Sequence, residues 1–415
     1  MSKKTSKEEY NVLKSRLASI GQPQLLRFYD ELDAEEQALL LDRISGLDFS
    51  YLERFSEKNV PGGRGTITPL SAMELPEIAL HAEAFTSAGE EALRSGRIAA
   101  VCLAGGMGTR LGFDGPKGCF NIGVTHPVYI FQRLIENLLL RVRELGRWIH
   151  FFIMTSEVND EKTRSFLGEH AYFGYDPAYI HFFRQEMAPA VDEAGKVLLE
   201  SKTAPAVSPN GNGGWFRSLV RAGLNELLIR EGIDYLNVFS VDNVLQDICD
   251  PCFIGAVLSG NYASGSKVVR KNSPDEKIGV MCLEDGLASV VEYSELSEEM
   301  RLLEDSKGDR VYNFGVILNY LFRVPELLTV TEEQLPLHFA HKKIPYVDEQ
   351  GISVKPEEPN GWKFEYFIFD ILGRLGPCLP YEVVRERCFA PVKNRSGVDS
   401  VESARALCLQ NGIEL

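Results

Sequence analysis

The sequence predicts an α/β fold built on a parallel sheet covered by helices on both faces. Two observations carry this. Between residues 96 and 345 short apolar runs alternate with helical stretches, and the connections are long enough to be crossover helices joining parallel strands. The run 98–103 is apolar throughout and ends in Ala104-Gly105-Gly106, as a buried strand entering a tight loop does.

In chain order, residues 7–56 read as helix. Apolar positions recur at three- and four-residue spacing through Leu13, Leu17 and Ile20, and again from Leu25 to Ile44. Asp33 ahead of Ala34-Glu35-Glu36 predicts an N-cap with acid in the first turn. Pro61-Gly62-Gly63-Arg64-Gly65 predicts a loop, followed by an irregular passage to about residue 80. A boundary near residue 95 follows the polar stretch 87–96. Beyond strand 98–103, residues 128–145 predict a helix and 148–154 a strand ending in Thr155-Ser156. Residues 214–230 predict one amphipathic helix, and 235–241 a strand with Asp242 at its end. Residues 265–325 predict strands returning to the sheet. Pro-rich turns and a short terminal helix in 346–415 predict a small third domain. The expected organisation is 1–95 helical, 96–345 central and 346–415 C-terminal. Ligands of open parallel sheets bind at the strands' carboxyl ends, so the loop after Leu103, Thr155 and Asp242 belong on one side.

Composition narrows the functional class. The chain has 415 residues, 44% hydrophobic and 25% charged, the balance of a globular protein. With 44 Lys and Arg against 59 Asp and Glu, the net charge of −15 and the lack of a basic block argue against a nucleic-acid surface. An acidic chain that binds phosphates must therefore cluster its cations locally. Eight scattered cysteines suggest no disulfide framework. No apolar stretch is long enough to span a bilayer, and the N-terminal residues lack the apolar core of a signal peptide. The expectation is a soluble cytoplasmic protein without membrane or nucleic-acid partners. Its oligomeric state is not legible.

The strongest local signal runs from Leu103 to Gly112 (Leu-Ala-Gly-Gly-Met-Gly-Thr-Arg-Leu-Gly), followed by Pro116-Lys117. Glycines at 105, 106 and 108 let backbone N–H groups approach an anion without side-chain interference. Arg110 and Lys117 add fixed positive charge suited to a polyphosphate. The spacing G-x-G-x-x-x-G is not the dinucleotide fingerprint, and no Gly-Lys-Ser/Thr follows as in a Walker A loop.

This signature resembles that of the UTP-dependent sugar-1-phosphate uridylyltransferases, and within them the UDP-N-acetylglucosamine (hexosamine) pyrophosphorylases. The resemblance begins at Gly21-Gln22 with Leu25-Leu26-Arg27-Phe28 and returns at Phe183-Arg184-Gln185. It continues at 209–214 (Pro-Asn-Gly-Asn-Gly-Gly), 240–243 (Ser-Val-Asp-Asn) and 290–295 (Val-Val-Glu-Tyr-Ser-Glu). Further matches are Asn313-Phe314-Gly315, 342–346 (Lys-Lys-Ile-Pro-Tyr), 359–363 (Pro-Asn-Gly-Trp-Lys) and 391–394 (Pro-Val-Lys-Asn).

The resemblance implies a central Rossmann-like nucleotide-sugar-binding (nucleotidyltransferase) domain with a mixed, mostly parallel sheet, flanked by N- and C-terminal domains. It implies UTP and a sugar 1-phosphate as substrates, UDP-N-acetylglucosamine and pyrophosphate as products, and Mg²⁺ as cofactor. Such a reaction needs two anions positioned and their charge neutralised, with no nucleophilic Ser or Cys. On matching positions, Leu103, Ala104, Gly105 and Gly106 would receive the uridine, with Gln185 and Gly211 on the uracil edge. Arg110 and Lys117 would hold the UTP phosphates, and Lys393 would reach the transferring phosphate. Asp242, at a strand's carboxyl end, would carry Mg²⁺, since a hard cation takes carboxylate oxygen. Asn212, Gly279, Glu292 and Asn313 would contact the sugar, with Phe367 and Phe369 as an apolar wall alternating on one strand face and Lys363 nearby.

Two positions depart from the pattern: Met107 stands where the eukaryotic hexosamine enzymes usually carry Gln, and Val316 where a further Asn is expected. A uridylyltransferase for glucose or galactose 1-phosphate is the alternative activity, and an inactive nucleotide-sugar sensor the remote one. Cys249-Asp250-Pro251-Cys252 lacks the second ligand pair of a zinc site. His338 and His341, beside Lys342-Lys343, are expected on a solvated helix end rather than on a metal.

Overall fold

The computed structural model describes residues 3–56, 64–331 and 334–415. Part of the expected loop, residues 61–63, lies outside the described residues. By contacts within the chain, the protein divides into two units, each drawn from separated segments. One combines residues 1–63, 186–214 and 335–367; the other combines 64–185, 215–334 and 368–415.

The smaller unit opens with helix α1 (Lys3–Ser19), two short 3₁₀ turns, α2 (Ala34–Ser45) and α3 (Ser50–Ser56). The α2 cap is the expected one: Asp33 Oδ1 accepts from the N–H groups of Glu35 and Glu36, and Glu36 reciprocates on the Asp33 N–H. Gln22, buried at the end of the α1 segment, donates to the Gly195 carbonyl at 3.0 Å and accepts from the Val197 N–H at 2.9 Å. That pair ties the N-terminal helices to short strands between residues 187 and 209. The strand Gly361–Glu365 pairs antiparallel with His338–Lys342 on one side and Val191–Asp192 on the other.

The larger unit holds a ten-stranded sheet. Its strands are β1 (Ile67–Pro69), β2 (Ile98–Leu103), β3 (Phe151–Thr155), β4 (Ile180–Arg184), β5 (Tyr235–Ser240), β6 (Ser264–Arg270), β7 (Val280–Glu284), β8 (Leu287–Val291), β9 (Phe314–Arg323) and β10 (Cys378–Glu382). β5, β2, β3 and β4 lie side by side and parallel, and β6 is parallel to β10. β9 runs antiparallel against β5, β6 and β7. The sheet is thus mixed around a parallel centre, as expected. Strand β2 is buried on both faces: Ile98, Ala100 and Cys102 join Phe131, Leu134 and Leu138 of helix α5 (Ile130–Leu145), while Ala99 and Val101 are fully buried on the other side.

Three helical expectations change. The passage read as irregular and polar contains a 20-residue helix, α4 (Leu75–Arg94), with Pro76 in its first turn. Its buried face mixes Ile78 and Leu93 with the small residues Gly89 and Ala92, and periodicity counting passes over the small ones. A Cβ on Gly89 would sit 1.9 Å from the Pro251 carbonyl oxygen, and one on Gly255 1.7 Å from the Phe85 carbonyl oxygen. Glycine at both places lets α4 press against α9 (Pro251–Ser259). The second change is at 214–230, where one helix becomes two, α7 (Trp215–Arg221) and α8 (Asn225–Glu231), because Gly223 at φ +74° ends the first. Helix α5 (Ile130–Leu145) and strand β3 begin two or three residues later than expected. Thirdly, His338 and His341 lie on a strand, not a helix end. His341 pairs with Glu193 and stacks on Trp362 at 4.4 Å, and His338 lies 4.4 Å from the Phe367 ring.

Candidate functional site

Register brings the four parallel strands to a common edge. Leu103 aligns with Ser240 on one side and Met154 on the other, and Thr155 aligns with Arg184. The loop after Leu103, Thr155 and Asp242 therefore emerge together at the carboxyl edge, as the sequence predicts, and Gln185 follows β4 to the same edge.

The glycine loop closes on itself. The Lys117 N–H donates to the Gly106 carbonyl at 3.0 Å, and the Gly108 N–H to the Gly115 carbonyl at 2.8 Å. Gly108 must lack a side chain because a Cβ there would meet the Phe113 ring at 2.7 Å. Gly112, at φ +70°, turns the chain back. This closure carries Lys117 from fourteen residues downstream of Leu103 to the sheet edge, where its Nζ lies 3.7 Å from Asp242 Oδ2, both side chains less than a fifth exposed. Arg110, in a short turn over Thr109–Leu111, is exposed and has no ion-pair partner among the described residues. Gln185 lies over Gly105: a Cβ on that glycine would be 2.8 Å from Gln185 Oε1.

Asp242 is set by two contacts. Ser240 Oγ donates to its Oδ1, and its own carbonyl accepts from the Val392 N–H at 2.8 Å. The second bond brings the segment bearing Lys393 alongside. Asn243, fully buried, fastens the same junction: its Nδ2 donates to the Cys388 carbonyl and its Oδ1 accepts from the Ala390 N–H, both at 2.8 Å. Sequence reasoning quoted Asn243 within a motif but gave it no role; a buried amide after a strand-end Asp was the available signal. The Lys393 ammonium is held by Asp399 at 3.0 Å.

A second cluster forms at β7, β8 and β9. The Gly279 carbonyl accepts from the Val316 N–H at 2.9 Å, and a Cβ on Gly279 would lie 3.5 Å from Glu292 Oε1 and 3.6 Å from Val316 Cγ2. Asn313 is buried beside them at the start of β9, and its Oδ1 has no hydrogen-bond partner among the described residues. A buried acceptor without a donor is costly and suits a ligand N–H or O–H.

Of the other candidate residues, all but Phe369 belong to the smaller unit. Gly211, at φ +82°, lies so close to Tyr366 that a Cβ would meet its carbonyl oxygen at 2.3 Å. The Gly213 N–H donates to that carbonyl, and the Tyr366 N–H to the Asn210 carbonyl, both at 2.8 Å. Asn212 opens the short turn between these contacts. Lys363 is half-buried on the strand Gly361–Glu365. Phe367 and Phe369 do not alternate on a strand: that strand ends at Glu365, Phe367 is in the connection, and Phe369 sits in a 3₁₀ turn over Ile368–Ile371. Alternation needs extended backbone, and the chain turns there.

For a divalent cation, Asp242 is the carboxylate at the edge. Among the described residues no group of three or more His, Cys, Asp or Glu could hold a metal. A cage of protein ligands alone does not fit; a hard divalent cation there would need oxygen ligands from outside the protein beside Asp242. The Cys249–Cys252 pair has a structural explanation. Burial pushes the Cys249 thiol up to about 12, and Asp250 between the two caps α9 through the Cys252 N–H at 3.0 Å.

Comparison with known proteins decides the family. The model of the UTP–glucose-1-phosphate uridylyltransferase family matches residues 65–412. The chain belongs to that family. The resemblance read from the motifs is borne out by its relatives. The chain is 37% identical to the UDP-N-acetylhexosamine pyrophosphorylase-like protein 1 of Homo sapiens over 414 residues, covering 93% of this chain and 81% of that one. It is 34% identical to the UDP-N-acetylglucosamine pyrophosphorylase of Saccharomyces cerevisiae over 422 residues, 94% and 88% of the two chains. A crystal structure of the uridine diphosphate N-acetylglucosamine pyrophosphorylase from Trypanosoma brucei is similar at 27% identity and a TM-score of 0.80, covering 97% of this chain and 84% of that one. As a member of this uridylyltransferase family the chain is a nucleotidyltransferase.

Proposed function

We propose that the protein joins UTP and N-acetylglucosamine 1-phosphate to give UDP-N-acetylglucosamine and pyrophosphate. The observation that carries this reading is the meeting of Lys117 and Asp242 at the carboxyl edge, beside a glycine loop that leaves backbone exposed. One phosphate oxygen of the sugar phosphate attacks the UTP α-phosphorus in line. The new P–O bond forms as the bond to the β-phosphate oxygen breaks, and pyrophosphate leaves. The protein's task is to align the two anions and offset their charge.

In this reading the 103–106 loop and Gln185 take the uridine, with Gly211 at the base. Arg110 and Lys117 bind the phosphates, and Lys393 exchanges Asp399 for the transferring phosphate. Asp242 would hold Mg²⁺, which supplies a Lewis acid for the phosphate oxygens. Gly279, Glu292 and Asn313 take the sugar, where the open Asn313 Oδ1 suits an amide or hydroxyl donor. Asn212, Lys363, Phe367 and Phe369 complete the proposed sugar-side set. No helix among the described residues is long and apolar enough to cross a membrane. All eight cysteines are unpaired, which supports a reducing cytoplasmic setting as part of this proposal.

The test is pyrophosphate release with UTP and Mg²⁺ against N-acetylglucosamine, N-acetylgalactosamine, glucose and galactose 1-phosphates. Highest kcat/KM on N-acetylglucosamine 1-phosphate supports the reading. Preference for glucose or galactose 1-phosphate would keep the chemistry and move the sugar. Release with none of the four, alongside UDP-sugar binding, would leave a sensor.

A further inference from the structure

We propose that Asn159 is a positioning residue for the nucleotide loop: its buried carboxamide holds the loop's carbonyls inward and so aims the loop's free N–H groups at the ligand. This deepens the function proposed above and rests on the 103–106 loop being where the nucleotide binds.

Asn159 lies just before helix α6 (Asp160–Glu169), on the loop that follows β3, and is completely buried. Its Nδ2 donates to the Ala104 carbonyl at 3.0 Å and to the Gly106 carbonyl at 3.3 Å. Its Oδ1 accepts from the Ser156 N–H at 2.8 Å, which fixes which end of the amide faces the loop. One side chain thus fastens the loop after β2 to the loop after β3.

The consequence follows from peptide geometry. In a trans peptide the C=O and the following N–H point in opposite directions. Turning the Ala104 carbonyl toward Asn159 turns the Gly105 N–H away from it. The Gly106 carbonyl, shared between Asn159 and the Lys117 N–H at 3.0 Å, does the same for the Met107 N–H. The Ala104 N–H is already spent on the Met154 carbonyl at 2.8 Å. The next three, on Gly105, Gly106 and Met107, have no acceptor among the described residues. They are three consecutive open donors on a half-buried to exposed loop, an arrangement suited to a carbonyl or phosphate oxygen. The same glycines that open the backbone to a ligand leave it free to rotate. Asn159 removes that freedom from outside the loop, without occupying the ligand's side.

The test uses two variants of the full chain. Asn159→Asp keeps the acceptor for Ser156 but loses both donors and faces two carbonyls with negative charge. Asn159→Leu is similar in size and apolar. Calorimetry with UDP and steady-state kinetics in each substrate are measured alongside melting. The expected result is UDP binding weakened about 10-fold or more and the KM for UTP raised in step, with the KM for the sugar 1-phosphate within about 2-fold. Equal change in both KM values, or none in that for UTP, would overturn the proposal, because a loss of stability alone does not single out one substrate. Should neither variant fold, wild-type protein labelled with ¹⁵N-glycine decides. The Gly105 amide resonance moves on adding UDP, and an unmoved resonance overturns the proposal. Failure of the wild-type chain to bind UDP would overturn the nucleotide reading itself, and this proposal with it.

Discussion

Replacing Lys117 with Ala separates two contributions of one charge. Without substrate, its ammonium faces Asp242 at 3.7 Å. Coulomb attraction at that distance is about 1 kcal/mol in water and about 4 kcal/mol at an effective dielectric near 20. Desolvating two groups that are under a fifth exposed offsets most of this. The net loss of stability should therefore stay near 1 kcal/mol, a fall in melting temperature of no more than about 2–4 °C. In the reaction the same ammonium meets charge on the transferring phosphates, and losing such a partner costs roughly 100-fold in kcat/KM, about 2.7 kcal/mol. The assay is coupled pyrophosphate release at saturating Mg²⁺, with melting followed in parallel. Near-full activity would remove Lys117 from the mechanism. A large drop in melting temperature matching the lost activity would make it a structural residue instead.

Asp242→Asn should raise the Mg²⁺ concentration for half-maximal activity by about 10-fold or more; an unchanged titration would place the metal elsewhere. Gly89→Ala should destabilise the larger unit by about 2–3 kcal/mol, because its Cβ meets the Pro251 backbone at 1.9 Å. Gly168→Ala on α6, where a Cβ meets nothing within 4 Å, should stabilise by about 0.5–1 kcal/mol, and equal denaturation midpoints for the two would refute the packing account. Burial lowers His181 to about 4, helped by His150 beside it at 2.9 Å. The unfolded chain therefore binds the His181 proton at a higher pH than the folded one. Stability contributed by neutral His181 is full above the unfolded value and falls as pH drops from about 6.5 toward 4. Between about pH 7 and 5 the wild-type chain should lose more stability than His181→Gln, by less than the roughly 2 kcal/mol of an unscreened site; parallel denaturation curves would refute this.

Much of the site was legible because its signals are local. A strand ending in glycines, cations at 110 and 117, and an Asp at a strand's end are each short-range patterns, and the parallel-sheet rule places them on one edge. Strand 98–103 and the Asp33 cap were readable for the same reason: burial and capping leave their mark on adjacent residues. Helix α4 was not, because its close approach is made through Gly89, whose meaning depends on α9, some 160 residues later. The strand alternation read for Phe367 and Phe369 failed because a period of two holds only while the backbone stays extended.

Residue chemistry and local order are written along the chain, so composition, caps, strand runs and the glycine loop could be taken from it directly. Which distant groups share a hydrogen bond is not. Asn159 under the loop, Asn243 between Asp242 and the Lys393 segment, and the 3.7 Å approach of Lys117 to Asp242 arise from strand register and loop closure. Those depend on the whole sheet packing at once, since no single segment holds its register alone.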